Sequence, residues 1–207
     1  MRSTKLILSG AALILLSVPA AYAQSAGSSN ATAAAPDKPA TIQQRKENQQ
    51  DRIAQGVQSG QLTAGETKNL ETKEADLNKE ERNMRAADDG HLTAADRSKI
   101  NQQQNRLSNQ IYDDKHNGNV QHYAPGEIGQ RQENQQDRIA QGIKSGQLTA
   151  GETAKLENQQ QGINREISGM RQANGGTLTK ADKAAVNQQQ NKASRNIYNK
   201  KHNSAKQ

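Results

Sequence analysis

The feature that most constrains the fold of this 207-residue chain is a tandem duplication. The segment ENQQDRIAQG occupies residues 47–56 and returns at 133–142, and NQQQN occupies 101–105 and returns at 187–191. All matches share an offset of 86 residues without a gap, and roughly 60 % of the aligned positions are identical. The chain therefore carries two copies of one structural unit, and the two copies are expected to share one local fold.

The first 23 residues have the pattern of a secretory signal peptide. Arg2 and Lys5 precede an apolar stretch over 6–18, and Ala21-Tyr22-Ala23 resembles a cleavage site. The chain has no cysteine, so neither a lipidated cysteine nor a disulfide framework is expected. We predict a periplasmic or secreted protein that does not span a membrane after cleavage. The predicted segments are a signal peptide at 1–23, a flexible tether at 24–42, a first helical unit at 43–117, a linker at 118–130, a second helical unit at 131–203 and a tail at 204–207.

Apolar residues recur at helical intervals within each copy. Leu70, Leu77 and Met84 are seven residues apart, and no proline interrupts the run. This spacing predicts one long central helix per copy, and short connections make neighbouring helices antiparallel. The predicted fold is all-α, with two tandem three-helix units joined by a short linker. Helices are expected at 43–58, 63–87 and 93–116, with equivalents 86 residues later.

A loop motif, Gly-x-Leu-Thr-x-x-acid, stands between the predicted helices of each copy. It reads GQLTAGET at 60–67 and 146–153, with the variants GHLTAADR from 90 and GTLTKADK from 176. Glycine can adopt the left-handed conformation that ends a helix, while threonine followed three residues later by an acid forms a capping box. The predicted capping pairs are Thr63 with Glu66, Thr93 with Asp96, Thr149 with Glu152, and Thr179 with Asp182.

The same motif resembles the second half of an EF-hand calcium loop. In that family the glycine permits the turn, the aliphatic residue pairs with a sister loop and the last acid binds the ion. The matching residues are Gly60, Leu62 and Glu66; Gly90, Leu92 and Asp96; Gly146, Leu148 and Glu152; and Gly176, Leu178 and Asp182. The first half of each loop lacks the family's full set of acidic or amide oxygen ligands, as with Gln55, Val57 and Ser59 before the first glycine. The resemblance implies at most one cation site, at Asp88, Asp89 and Asp96, with calcium as its ion; no other cofactor is expected.

Amide side chains interrupt the predicted apolar faces. Helical spacing places glutamines on the same side as Ile53, and between Ile100 and Leu107, so some amides must face inward. These glutamines are either helix-compatible surface residues or an amide-lined surface for a partner helix or polymer. The residues are Gln49, Gln50, Gln103, Gln104, Gln135, Gln136, Gln189 and Gln190.

The charge of the chain is unevenly distributed. Residues 43–117 contain twelve Lys plus Arg and thirteen Asp plus Glu, whereas residues 131–203 contain twelve and six. A basic second copy indicates either a solvated basic face or contact with an anionic partner, such as nucleic acid, anionic lipid or an acidic envelope polymer. Sequence-specific recognition of nucleic acid is not expected, and the scarcity of aromatic residues argues against stacking on single strands.

The chain contains no recognisable catalytic motif, phosphate-binding loop or metal-binding histidine pattern. Its mean hydropathy is -1.08, so the core is small and a partner or self-association is expected to add stability. We therefore expect an exported, non-enzymatic helical repeat protein that binds or scaffolds a protein or an anionic polymer. The alternatives are a divalent-cation binder and a polyanion binder that uses the basic second copy.

Overall fold

The computed structural model describes residues 40–206, and in this part of the chain the protein is all-helical without strands. The fold class predicted from sequence is confirmed at this level. The signal peptide and most of the tether lie outside the described residues. The six helices are α1 (Ile42–Gln58), α2 (Ala64–Ala87), α3 (Ala94–His116), α4 (Glu127–Lys144), α5 (Ala150–Ala173) and α6 (Lys180–Lys201).

Local capping fixes where the helices begin. A threonine N-cap with a complete capping box precedes α2, α3, α5 and α6. A further capping box, Thr41 with Gln44, starts α1 one residue before the predicted bound. The start of α4 differs more, because Gly126 with φ 75° is its N-cap and the helix begins at Glu127, inside the predicted linker.

Within the first copy, α1 and α3 run parallel and α2 runs antiparallel to both. Arg45 donates to Asn101 at 3.3 Å and Arg52 donates to Ser108 Oγ at 2.6 Å, so the residue numbers of α1 and α3 rise together. The second copy repeats this arrangement, with Arg131 donating to Asn187 at 3.2 Å.

The two copies pack on each other through α1 against α4 and α2 against α5. A Cβ placed on Gly65 would lie 2.5 Å from Gln161 Nε2, and a Cβ on Gly151 would lie 3.9 Å from Ala75 Cβ. These two approaches define an antiparallel register for α2 and α5, in which Leu70 lies opposite Leu156.

The main hydrophobic core takes side chains from both copies. Its buried members include Ile53 and Leu70 from the first copy and Ile139 and Leu156 from the second. A smaller core around Ile163, Ile167 and Val186 belongs to the second copy. The described residues thus form one compact unit in which each copy covers apolar surface of the other. The division into two tandem units stays a prediction.

The linker contacts the first copy. The Gln121 N–H donates to the Gly60 carbonyl at 2.8 Å, and the Gln121 side-chain oxygen accepts from the Ala64 N–H at 3.0 Å.

Within residues 40–206 no helix is long and apolar enough to cross a membrane.

Candidate functional site

The recurring loop joins one helix to the next through backbone and side-chain contacts. Gly60 has φ 70°, the left-handed conformation, and its N–H donates to the Val57 carbonyl at 3.2 Å. The Leu62 N–H donates to the Gly56 carbonyl at 3.0 Å, and Leu62 packs so closely that a Cβ on Gly56 would lie 2.6 Å from it. The leucine of the motif is therefore a buried plug over a helix glycine.

The threonine and the acid of the motif cap the next helix. At the first loop, the Glu66 N–H donates to Thr63 Oγ1 at 3.3 Å and the Thr63 N–H donates to Glu66 Oε2 at 2.9 Å. Burial opposes ionisation of Glu66, but hydrogen bonds from Asn119, Asn117 and Thr63 outweigh it and lower the pKa. The same paired bonds join Thr93 with Asp96, Thr149 with Glu152, and Thr179 with Asp182.

The structure does not assemble the candidate cation site at Asp88, Asp89 and Asp96. Asp96 Oδ2 accepts from the Thr93 N–H at 3.0 Å and from Thr93 Oγ1 at 2.6 Å, so its carboxylate faces the helix start. Within residues 40–206 no three His, Cys, Asp or Glu side chains converge as a metal site would require. Calcium binding by this loop stays a prediction.

The glutamines of the NQQ segments tie the helices together inside each copy. Gln49 Nε2 donates to the Gln104 carbonyl at 2.7 Å, which joins α1 to α3. Gln104 Nε2 donates back to the Ile42 carbonyl at 2.9 Å, and Gln50 Nε2 donates to Glu71 Oε2 at 3.2 Å, which joins α1 to α2. The second copy has the equivalent bonds.

The structure places most glutamines of the predicted partner surface inside the chain. Six of the eight glutamines are buried, because their amides satisfy backbone carbonyls and carboxylates of the same chain. Only Gln103 and Gln189 are half-buried, and they donate to Glu80 and Glu166. The six buried residues are Gln49, Gln50, Gln104, Gln135, Gln136 and Gln190.

Sequence reasoning missed three fully buried glutamates of α2 and α5: Glu71, Glu74 and Glu157. A signal was available, because Glu74 continues the stripe of Leu70 and Leu77 at helical spacing. Because glutamate is normally found at the surface, periodicity alone does not predict that these glutamates are buried.

The basic excess of the second copy is concentrated on α6. Helix α6 carries six Lys or Arg and one acid, Asp182, which is engaged as a cap. The equivalent helix α3 carries four Lys or Arg and three acids. Asp113 and Asp114 of α3 correspond to Asn199 and Lys200 of α6. We call the basic residues of α6 together with Arg138 the basic face: Arg138, Lys180, Lys183, Lys192, Arg195, Lys200 and Lys201.

Two cations of the basic face lie close together without an acidic partner. Burial and the nearby Arg138 guanidinium both lower the pKa of Lys201. In the described part of the chain, no carboxylate lies within 4.0 Å of Arg138 or Lys201, so neither side chain forms a salt bridge. An anion bound here would relieve the repulsion between them.

An exposed aromatic ring stands beside this pair. Tyr198 is 57 % exposed and stacks on His202 with ring centroids 4.1 Å apart. The His202 Nδ1–H donates to the Tyr198 carbonyl at 2.7 Å, which holds the stack at the helix end. Tyr112 and His116 repeat the stack at 4.2 Å in the first copy.

No protein-family model matches the chain, and neither a curated protein nor a solved structure is significantly similar to it.

Proposed function

We propose that this chain is an exported, non-enzymatic helical repeat protein that acts as a binding or scaffolding module, and that it binds an anionic polymer through the basic face. The observation that supports this proposal is the unneutralised charge of α6. The helix carries six Lys or Arg residues and one acid, Asp182, whose carboxylate already caps the start of the helix. In the proposal, two tandem three-helix units hold the face in place, and export puts it in the periplasm or outside the cell.

The spacing of the cations along α6 favours a polymer over a single small anion as the ligand. Lys180, Lys183, Lys192 and Arg195 are exposed along about four turns of α6, so their charges are spread over roughly 20 Å at 1.5 Å per residue. Lys200 is only weakly neutralised, because its Nζ lies 3.9 Å from Glu152 Oε1. Cations distributed over this length of the helix suit a ligand with repeating negative charge.

The first copy offers a natural guide for the test. Replacing Asn199→Asp and Lys200→Asp gives α6 the acidic pair that α3 carries, which the same local fold already tolerates. The matched control, Lys79→Asp with Asn83→Asp, makes the same change in net charge at exposed positions of α2. Binding is measured with dextran sulfate as the anionic probe and uncharged dextran as the neutral one.

The proposal predicts that the α6 variant binds dextran sulfate at least about tenfold more weakly than the wild type, because local charge governs affinity for a polyanion. The α2 variant should lose much less. Equal loss in both variants would show that net charge alone attracts the probe, and comparable binding to uncharged dextran would refute an electrostatic site.

A further inference from the structure

Three carboxyl groups lie in the interior where α2 meets α1 and α5. Glu71, Glu74 and Glu157 each have 0 % of their surface exposed. Two of the three accept from amides: Gln50 Nε2 donates to Glu71 Oε2 at 3.2 Å, and Gln136 Nε2 donates to Glu157 Oε2 at 3.0 Å. We call these three glutamates the buried carboxyl cluster.

Most oxygens of this cluster have no partner. Among the described residues, Glu71 Oε1, Glu157 Oε1 and both oxygens of Glu74 are buried without a hydrogen bond. A carboxylate ion removed from water requires a cation or several donors, whereas a neutral carboxyl group is far less costly to bury. The surroundings therefore favour the protonated form.

Within residues 40–206, one cation faces the cluster, and it forms a salt bridge with another glutamate. Lys46 of α1 favours ionisation of Glu74, but its Nζ lies 3.3 Å from Glu81 Oε2. Glu81 itself opposes ionisation of Glu74, and it also accepts from Arg85 at 2.8 Å.

The other titratable groups that face the cluster are acidic. Glu157 of α5 and Glu74 both oppose ionisation of Glu71. From the linker, Tyr123 faces Glu157, and Tyr123 in turn faces Glu133 and Asp137 of α4. No neighbour on these elements supplies a charge that would offset ionisation of Glu71 or Glu157.

The duplication supplies an internal comparison. The position of Glu74 is occupied in the second copy by Gln160, which is buried to 2 % exposure. Gln160 Nε2 donates to Gln135 Oε1 at 3.1 Å. A neutral side chain of the same size and shape as a protonated glutamate is thus accommodated at the equivalent place.

We propose that the buried carboxyl cluster is protonated in the folded protein and makes the contact between α2 and α5 depend on pH, so that the contact weakens as the solution becomes alkaline. The protein is accordingly built for mildly acidic surroundings, in contrast to proteins whose buried carboxylates are paired with cations.

The direction of the effect follows from proton binding. Burial raises the pKa of Glu157 to about 8 and that of Glu74 to about 7, and it raises the pKa of Glu71 well above 4.5. Since these values exceed the unfolded value of 4.5, the folded state binds more protons than the unfolded state. The stability that the buried carboxyl cluster contributes is fully present below pH 4.5 and is lost as the pH rises through 7 to 8.

Groups with a lowered pKa act in another pH range. Hydrogen bonds from Asn203 and Thr149 overcome the effect of burial and lower the pKa of Glu152. The stabilising effect of such caps is present above 4.5 and is lost as the solution becomes more acidic than that. The titration of the caps therefore does not mask the loss of stability at alkaline pH.

The test is urea unfolding of the full chain, followed by helical circular dichroism at pH 5, 6, 7, 8 and 9. The urea midpoint of the wild type should fall steadily across this series. In the double variant Glu71→Gln with Glu157→Gln the fall should be much smaller, while the exposed control Glu47→Gln should behave as the wild type does. A wild-type midpoint that is flat or rises from pH 5 to 8 would overturn the proposal, as would an unchanged slope in the folded double variant.

A second measurement decides the matter if the double variant does not fold. Unfolding of the wild type in weakly buffered urea at pH 6 should release about two to three protons per chain, one from each carboxyl group that was protonated only in the folded state. Release of no protons would overturn the proposal.

Discussion

A double-mutant cycle at Leu70 and Leu156 examines whether the two copies share one core. The two leucines are 0 % and 2 % exposed, belong to the same hydrophobic cluster and lie opposite each other in the register of α2 and α5. Replacing either one by alanine removes buried atoms and leaves a cavity, at a cost of about 2 to 5 kcal/mol. Against a total stability of about 5 to 15 kcal/mol, each change should be readily measurable.

The informative quantity is the coupling between the two substitutions. Leucines in contact across the copies should be non-additive by about 0.5 to 3 kcal/mol, because the second truncation enlarges a cavity that already exists. Urea unfolding of wild type, Leu70→Ala, Leu156→Ala and the double variant gives this value. The control pairs Leu156→Ala with Leu92→Ala, which is buried outside that cluster and should be additive within about 0.5 kcal/mol. Additive effects for Leu70 and Leu156, or single costs below about 1 kcal/mol, would refute the shared core.

Three smaller predictions concern local structure, each measured by urea unfolding. Gly129→Ala should be strongly destabilising, because its Cβ would overlap the Ala124 carbonyl oxygen; a variant as stable as wild type would contradict this packing. Gly162→Ala in α5 meets open space and should stabilise by about 0.5 to 1 kcal/mol through helix propensity, so a loss of stability would contradict the position. Thr149→Ala should cost about 0.5 to 2 kcal/mol by removing a capping box, and no change would show that the cap is dispensable.

Helix positions could be predicted from the sequence because their signals are local. The Thr-x-x-acid pattern and the preceding glycine set the ends of α2, α3, α5 and α6 within one or two residues. The start of α4 was less predictable, because Gly126 caps it without a side-chain hydrogen bond.

The packing between the copies could not be predicted from the duplication. Two similar units joined by a linker can form separate bodies or a single one, and local sequence does not distinguish between these outcomes. The contact of Gly65 with Gln161 and the shared cluster around Leu70 and Leu156 depend on residues distant in sequence.

Only part of the polar interior could be predicted from the sequence. Periodicity placed Gln49 and Gln104 near the apolar faces, but the sequence did not show that each would find a carbonyl partner inside the chain. Burial of Glu71 and Glu157 needs the neighbouring Gln50 and Gln136, whose amides are the donors. Such matched pairs are a tertiary property.

Binding of an anionic polymer by the basic face of α6 predicts that the affinity depends strongly on salt concentration. Affinity of the wild type for dextran sulfate should fall steeply and linearly on a log–log plot as sodium chloride rises, because bound counterions are released when cations of the face neutralise the polymer. The Asn199→Asp, Lys200→Asp variant should give a clearly shallower slope, since fewer cations take part. Equal slopes for variant and wild type, or an affinity that does not change with salt, would contradict the assignment of binding to α6.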